Sequence, residues 1–280
     1  MLASRLAFAL VAFALALPGA AQVKPEHGDE IYQPTSGQAG KDVVWVPTPD
    51  ALVTLMLDAV KTTKDDVVYD LGAGDGKIPI AAAKQYGARA TGIEYNAEMA
   101  ELARRNVKRA GVEQLVNIIT GDIFVEDFSK ATVVTMYLLP QLNVKLRPII
   151  LGMKPGTRVT SHQFDMGDWA PDQHLKVEFR DAFVWIVPAA VGGEWALKDD
   201  RGAFSGTLNL VQRYQRIGGT LALGDKTQPL LGAWMDGDKL SFSFIDSENN
   251  LQSARMTVAG SGMTGVLSDS RKSPLTGSKR

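Results

Sequence analysis

Cysteine is absent from the 280 residues and histidine occurs only three times. A thiolate metal site, a disulfide framework and a cysteine nucleophile are thereby excluded, and no metal centre is expected. Excess charge of one sign is also missing, since 30 Lys and Arg face 31 Asp and Glu for a formal net charge of -1. A nucleic-acid binder usually clusters Lys and Arg on one face with aromatics between them. The densest basic stretch here, "ARRNVKRAG" (103–111), is short and has the spacing of a solvated helix face, so no nucleic-acid partner is expected. Beyond the first two dozen residues no apolar run reaches the ~20 residues needed to span a bilayer, which leaves the mature chain without an expected transmembrane span. Repeats at solenoid spacing and sizeable low-complexity segments are missing too.

What is present is concentrated in "VVYDLGAGDGK" (67–77), where an apolar run stops at Asp70 and enters Gly72, Gly74 and Gly76. An apolar strand that ends in a carboxylate, turns through glycines and opens a helix ("IPIAAAKQY", 78–86) is the start of a βαβ unit. Glycine permits the tight turn and lets backbone N–H groups come close to a ligand. The dinucleotide fingerprint is G-x-G-x-x-G, with a pyrophosphate on the helix N-terminus. The spacing here is D-x-G-x-G-x-G, which disfavours a nicotinamide oxidoreductase. It favours S-adenosylmethionine, a cofactor with no phosphate but with an ammonium, a carboxylate and a sulfonium, for which Asp70 is a suitable counter-charge.

Two further acids follow at strand ends. "RATGIEY" (89–95) places Glu94 24 residues beyond Asp70, where it can hold a ribose diol, and "VNIITGDIF" (116–124) ends at Asp122, which can accept from an adenine amino group. Ile123 and Phe124 can flank the ring. Three acids at the ends of three successive strands share the carboxyl edge of a parallel sheet, where open α/β folds bind ligands. On these residues the segment from Val43 to Pro188 resembles the class I S-adenosylmethionine-dependent methyltransferases. The resemblance implies a Rossmann-like seven-stranded sheet: an opening helix (50–61), a helix at 97–110, strands at 132–138 and 158–164, and a closing hairpin of "HLKVEF" and "FVWIVP" about a turn at Arg180 to Ala182. It implies cofactor contacts at Asp70, Gly72, Gly74, Gly76, Glu94, Asp122 and Ile123.

After the fourth strand the chain has "MYLLPQL" in place of the Asn-Pro-Pro-Tyr pattern of many amide- and base-modifying methyltransferases. "WVPTP" (45–49), the glycine segment and "MKPGTRV" are together similar to small protein-lysine methyltransferases without a SET domain and, more closely, to an uncharacterised bacterial group. That similarity implies Tyr137, Leu138 and Pro140 on the acceptor side and Thr48 near the methionine end of the cofactor. The acceptor is then a protein lysine or a small molecule. Asp165, Asp168 and Trp169 are candidates for the substrate entrance and His162 for accepting a proton. Equally, His162 can be a hydrogen-bonded core residue and the two acids can cap the loop "DMGDWAPD".

From about Gly192 helical periodicity gives way to short alternating segments at 206–214, 217–223, 229–235, 239–246, 253–258 and 263–267. "MDGDK" is a hairpin turn signal, and an antiparallel β domain over 191–268, curled into a small barrel or half-barrel, is expected. In "KLSFSF" Leu240, Phe242 and Phe244 fall on one face and are assigned to its core, because a sheet this small needs its large side chains for burial. Residues 269–280 are expected to be a flexible basic tail.

The first 21 residues carry Arg5, an apolar run from Leu6 to Leu17 and the small residues Gly19, Ala20 and Ala21, the pattern of a secretory signal peptide cleaved before Gln22. A polar lead (22–42) would then precede the methyltransferase segment (43–190), and the mature protein would be periplasmic or secreted. Cytosolic synthesis of S-adenosylmethionine stands against that location. It also raises the alternative of an exported, non-catalytic binding or scaffold protein that keeps the fold.

Overall fold

The computed structural model describes residues 26–200, 202, 204–268 and 272–280. The expected leader and the first residues of the polar lead lie outside the described residues. The chain runs β1 (Gln38–Ala39), β2 (Val44–Trp45), α1 (Asp50–Ala59), β3 (Val67–Leu71), α2 (Lys77–Tyr86), β4 (Arg89–Glu94), α3 (Ala97–Ala110) and β5 (Val116–Thr120). It continues with β6 (Val133–Met136), α4 (Pro140–Leu151), β7 (Arg158–His162), β8 (Gln173–Val177) and β9 (Arg180–Ile186).

Strands β3 to β9 form one seven-stranded sheet in the order β5-β4-β3-β6-β7-β9-β8. Strands β3 to β7 are mutually parallel, while β9 runs antiparallel to both β7 and β8. The order reverses between β3 and β6, so a crevice opens at their carboxyl ends. The helices cover the sheet through apolar stripes, as in α1, where Leu52, Val53, Met56 and Leu57 are buried. Local signals set the ends of the helices. Asn96 caps α3 by accepting from the Met99 N–H, Gly111 closes that helix in the left-handed region, and Pro140 opens α4.

The closing hairpin forms as expected but turns earlier: its turn is at Glu178 and Phe179, and Arg180 to Ala182 are already in β9. The second strand of the hairpin sits beside β7 and the first forms the sheet edge. Hydrophobicity explains the order: β9 buries Ala182, Val184 and Trp185, whereas β8 has an exposed edge of Gln173, His174 and Lys176.

The second unit comprises β10 (Gly193–Asp199), β11 (Ser205–Arg213), β12 (Arg216–Leu223), β13 (Lys226–Pro229), β14 (Leu231–Asp236), β15 (Lys239–Ile245), β16 (Leu251–Ala259), β17 (Gly262–Leu267) and β18 (Pro274–Lys279). Eight of these strands close into an antiparallel barrel, β10-β11-β12-β14-β15-β16-β17-β18, with β13 extending the edge of β12. Period-two alternation fills the interior with Trp195, Leu197, Leu208, Leu240, Phe242, Phe244 and Met256, as an eight-stranded barrel allows. The expectation of a loose tail is corrected here. Leu275 and Gly277 point inward, where Gly277 leaves room for Met263 and Leu197, and β18 pairs with both β10 and β17 to close the ring.

The β11–β12 turn joins the barrel to the sheet. Gln215, 4% exposed, accepts from the Trp169 indole N–H at 3.0 Å and donates to the Ala170 carbonyl at 2.7 Å. Tyr214 stacks on Trp169 and donates to Asp168, which also binds Arg147 and Arg213. Replacing Gln215 by Leu strands the Trp169 N–H in the joint, and a buried unsatisfied group costs about 1–3 kcal/mol. Denaturant unfolding is expected to show that loss; an unchanged midpoint would contradict the role of this joint.

Candidate functional site

The crevice at the carboxyl ends of β3, β4, β5 and β6 is lined by Thr48, Asp70, Gly72, Gly74, Asp75, Glu94, Tyr95, Asp122, Ile123, Tyr137, Leu138 and Leu142, together with the β1–β2 hairpin. Gly72 and Gly74 have positive φ. At Gly74 the need for glycine is also steric, because a Cβ would lie 2.6 Å from Trp45 Nε1. Gly76 does not line the crevice. It turns the chain into α2 at φ 82 and packs against Ala103.

Glu94 fixes the loop. Its Oε2 accepts the Gly74 N–H at 2.9 Å and its Oε1 accepts the Asn96 N–H at 2.8 Å. Burial raises its pKa, and the backbone donors act in the opposite sense. Asp70 is 2% exposed and accepts from the Thr135 hydroxyl of neighbouring β6 at 2.6 Å. Burial pushes its carboxyl up to about 7. Asp75, at the same end of β3, is also raised by burial.

Asp122 lies at the other end and is held below the usual carboxylate range, first by Lys41, whose Nζ is 2.6 Å away, and then by the Phe124 N–H. Lys41 also sits over the Tyr95 ring at 4.4 Å. The segment that carries Lys41 is anchored by Asp29, which accepts from Arg105 at 2.6 Å and pairs with Arg109 at 3.1 Å. The expected polar lead is thus part of the crevice. Its strand β1, and β2 with which it pairs just beyond the lead, are two residues long and show no alternation, so sequence periodicity could not reveal it.

On the opposite side, Thr48 Oγ1 lies 3.1 Å from His162 Nδ1, and the His162 ring packs on Tyr137 at a 33° tilt with centroids 3.7 Å apart. Phe164 extends the stack at 6.3 Å from Tyr137. His162 is fully buried, its Nε2 has no partner among the described residues, and burial lowers its pKa to about 4. So weak a base is poorly suited to take a proton from an amine of pKa about 10. It can instead hold Thr48 and Tyr137 in register. Asp165 is exposed and accepts from the Gly167 N–H. Asp168 and Trp169 lie in the barrel joint, away from the crevice lining, which accounts for them without an entrance role.

Comparison with known proteins gives a consistent set of likenesses. Residues 70–173 match the family described as the ANTKMT methyltransferase domain. A Saccharolobus islandicus protein named protein-lysine N-methyltransferase is 46% identical over 138 residues, covering 49% of this chain and 86% of that protein. A Xenopus laevis protein, also named as a lysine N-methyltransferase, is 30% identical over 142 residues, covering 50% of this chain and 61% of that one. A Salinibacter ruber crystal structure, described as an RNA methyltransferase in complex with S-adenosyl-L-homocysteine, superposes with a TM-score of 0.51 at 49% identity, over 52% of this chain and 96% of that chain. About half of this chain therefore has no counterpart in these alignments.

The raised carboxyl of Asp70 has a consequence for stability. A carboxyl near 7 in the folded chain and near 3.9 in the unfolded one makes the native state bind the extra proton in between, so its contribution falls as pH rises from about 4 to about 7. Asp70→Asn removes that cost while keeping an acceptor for Thr135. The variant is expected to gain a few kcal/mol over the parent at pH 8 and only about 1 kcal/mol at pH 4.5 in thermal unfolding. A gain independent of pH would contradict the assignment.

Proposed function

We propose that this chain, which belongs to the class I S-adenosylmethionine-dependent methyltransferases, methylates a lysine side chain of a protein. The membership carries the enzyme class and the cofactor; the acceptor and the roles of individual residues are our reading. The crevice suits the cofactor chemically. Its glycine floor at Gly72 and Gly74 leaves a cradle that a Cβ at Gly74 would close against Trp45. In this reading Glu94 holds the ribose diol, Asp122 and Ile123 meet the adenine, and Asp70 and Thr48 face the amino-acid end.

When bound, S-adenosylmethionine supplies a methyl group on a positively charged sulfur. The task of the protein is to align an amine lone pair with that methyl and to keep water out. The Tyr137 ring, fixed by His162, and the apolar Leu138 and Leu142 form a wall against which a lysine stem can lie. Carboxylates along the crevice attract its ammonium, and the apolar wall then favours the neutral, nucleophilic amine.

The observation that carries the protein-lysine reading is the 46% identity to a protein-lysine N-methyltransferase across most of its length. The Salinibacter ruber likeness gives RNA as a second reading. Against it, the basic stretch on α3 is already engaged within the chain: Arg104 with Glu101 and the Ile118 carbonyl, and Arg105 and Arg109 with Asp29. A phosphate backbone would find few free cations there.

The signal-peptide pattern supports a location in the periplasm or outside the cell, with acceptors in the envelope. The test is transfer of labelled methyl from S-adenosylmethionine to separated envelope proteins, cytoplasmic proteins and total RNA, with the N-terminus of the exported chain sequenced in parallel. Label on a lysine of an envelope protein, and a mature chain beginning at Gln22, are expected. Label only in RNA would overturn the lysine reading, label only on cytoplasmic proteins or a full-length chain in the cytoplasm would overturn the location, and label nowhere would favour a non-catalytic binder.

A further inference from the structure

The crevice presents five carboxylates, Asp42, Asp70, Asp75, Glu94 and Asp122, and two cationic side chains, Lys41 and Lys77. This balance suits the ammonium and sulfonium of the cofactor but opposes its carboxylate, which must find a cation or remain repelled. Lys41 is committed at the adenine end, between Asp122 and the Tyr95 ring.

Lys77 stands at the other end. Its Nζ pairs at 3.0 Å with Asp50, two residues beyond Thr48, and the Asp50 side chain is 89% exposed. An ion pair that open to water is weak and readily exchanged. The Lys77 side chain is only a third exposed and belongs to the crevice lining, so a second anion arriving from the crevice meets it in a less aqueous setting. A flexible ammonium also suits a single carboxylate.

We propose that Lys77 binds the carboxylate of the amino-acid end of the cofactor, exchanging Asp50 for it. The assignment rests on the proposed reading of this crevice, in which the adenine takes the Asp122 side and the amino-acid end the Thr48 side, where Lys77 also stands.

Calorimetric titration of the full chain with two probes separates the terms. S-adenosylhomocysteine carries the amino-acid end, and 5′-methylthioadenosine lacks it. Lys77→Met is expected to weaken S-adenosylhomocysteine by at least about tenfold, equivalent to about 1.4 kcal/mol, and to leave methylthioadenosine unchanged. Lys77→Arg restores most of the loss, and Asp50→Asn binds S-adenosylhomocysteine at least as tightly as the parent. Unchanged S-adenosylhomocysteine affinity in Lys77→Met, or an equal loss of both probes, would overturn the assignment while leaving the cofactor reading intact. Failure of the parent chain to bind S-adenosylhomocysteine would overturn both.

Discussion

The two backbone N–H groups that converge on Glu94 are the constraint on which the site depends. One comes from the glycine loop after β3 and the other from the turn into α3, so a single carboxylate ties two consecutive βα units together at the carboxyl edge of the sheet. Because each unit contributes a different part of the crevice, this tie decides whether the crevice has one shape. Burial makes the arrangement costly for a charged group, and the two donors act against that cost. Asp70 is arranged differently: it has one hydroxyl donor from Thr135 and little water, and its charge is left to be compensated by whatever cation enters.

Around this pair the molecule divides the remaining tasks. The N-terminal hairpin brings Trp45 over Gly74 and Lys41 onto Asp122, so it forms one wall of the crevice. On the other side Tyr137, Leu138 and Leu142 form the opposite wall, and α4 holds the loop after β7 behind it, where Asn143 donates to the Ser161 hydroxyl and to the Phe164 and Asp165 carbonyls. The barrel reaches the same loop from behind through Tyr214 and Gln215. A buried polar network of this kind fixes one arrangement only while each member keeps its partner.

Much of the sheet was legible in the sequence, because its strands are apolar runs that end in recognisable residues. Asp70, Glu94 and Asp122 could be placed on one edge from spacing alone, and the structure brings all three into one crevice. The alternation in "KLSFSF" likewise put Leu240, Phe242 and Phe244 inside the barrel. What escaped reading depends on contacts distant in the chain. Pro274–Lys279 looks like a polar tail and becomes a strand only because β10 and β17 present two free edges to it. Asp168 and Trp169 look like loop residues near a substrate until Gln215, some 45 residues later, accounts for them. Lys41 gives no local signal at all, since its meaning comes from Asp122.

Glu94 offers the most direct test of the account as a whole. Calorimetric titration of the intact chain with S-adenosylhomocysteine and with NAD, repeated on Glu94→Ala, asks whether the carboxylate that shapes the loop also selects the ligand. The account predicts binding of S-adenosylhomocysteine near the micromolar range, about 8 kcal/mol, no binding of NAD, and loss of the former in the variant while the barrel stays folded. Undiminished binding of S-adenosylhomocysteine by Glu94→Ala, or preferential binding of NAD by the parent, would contradict it.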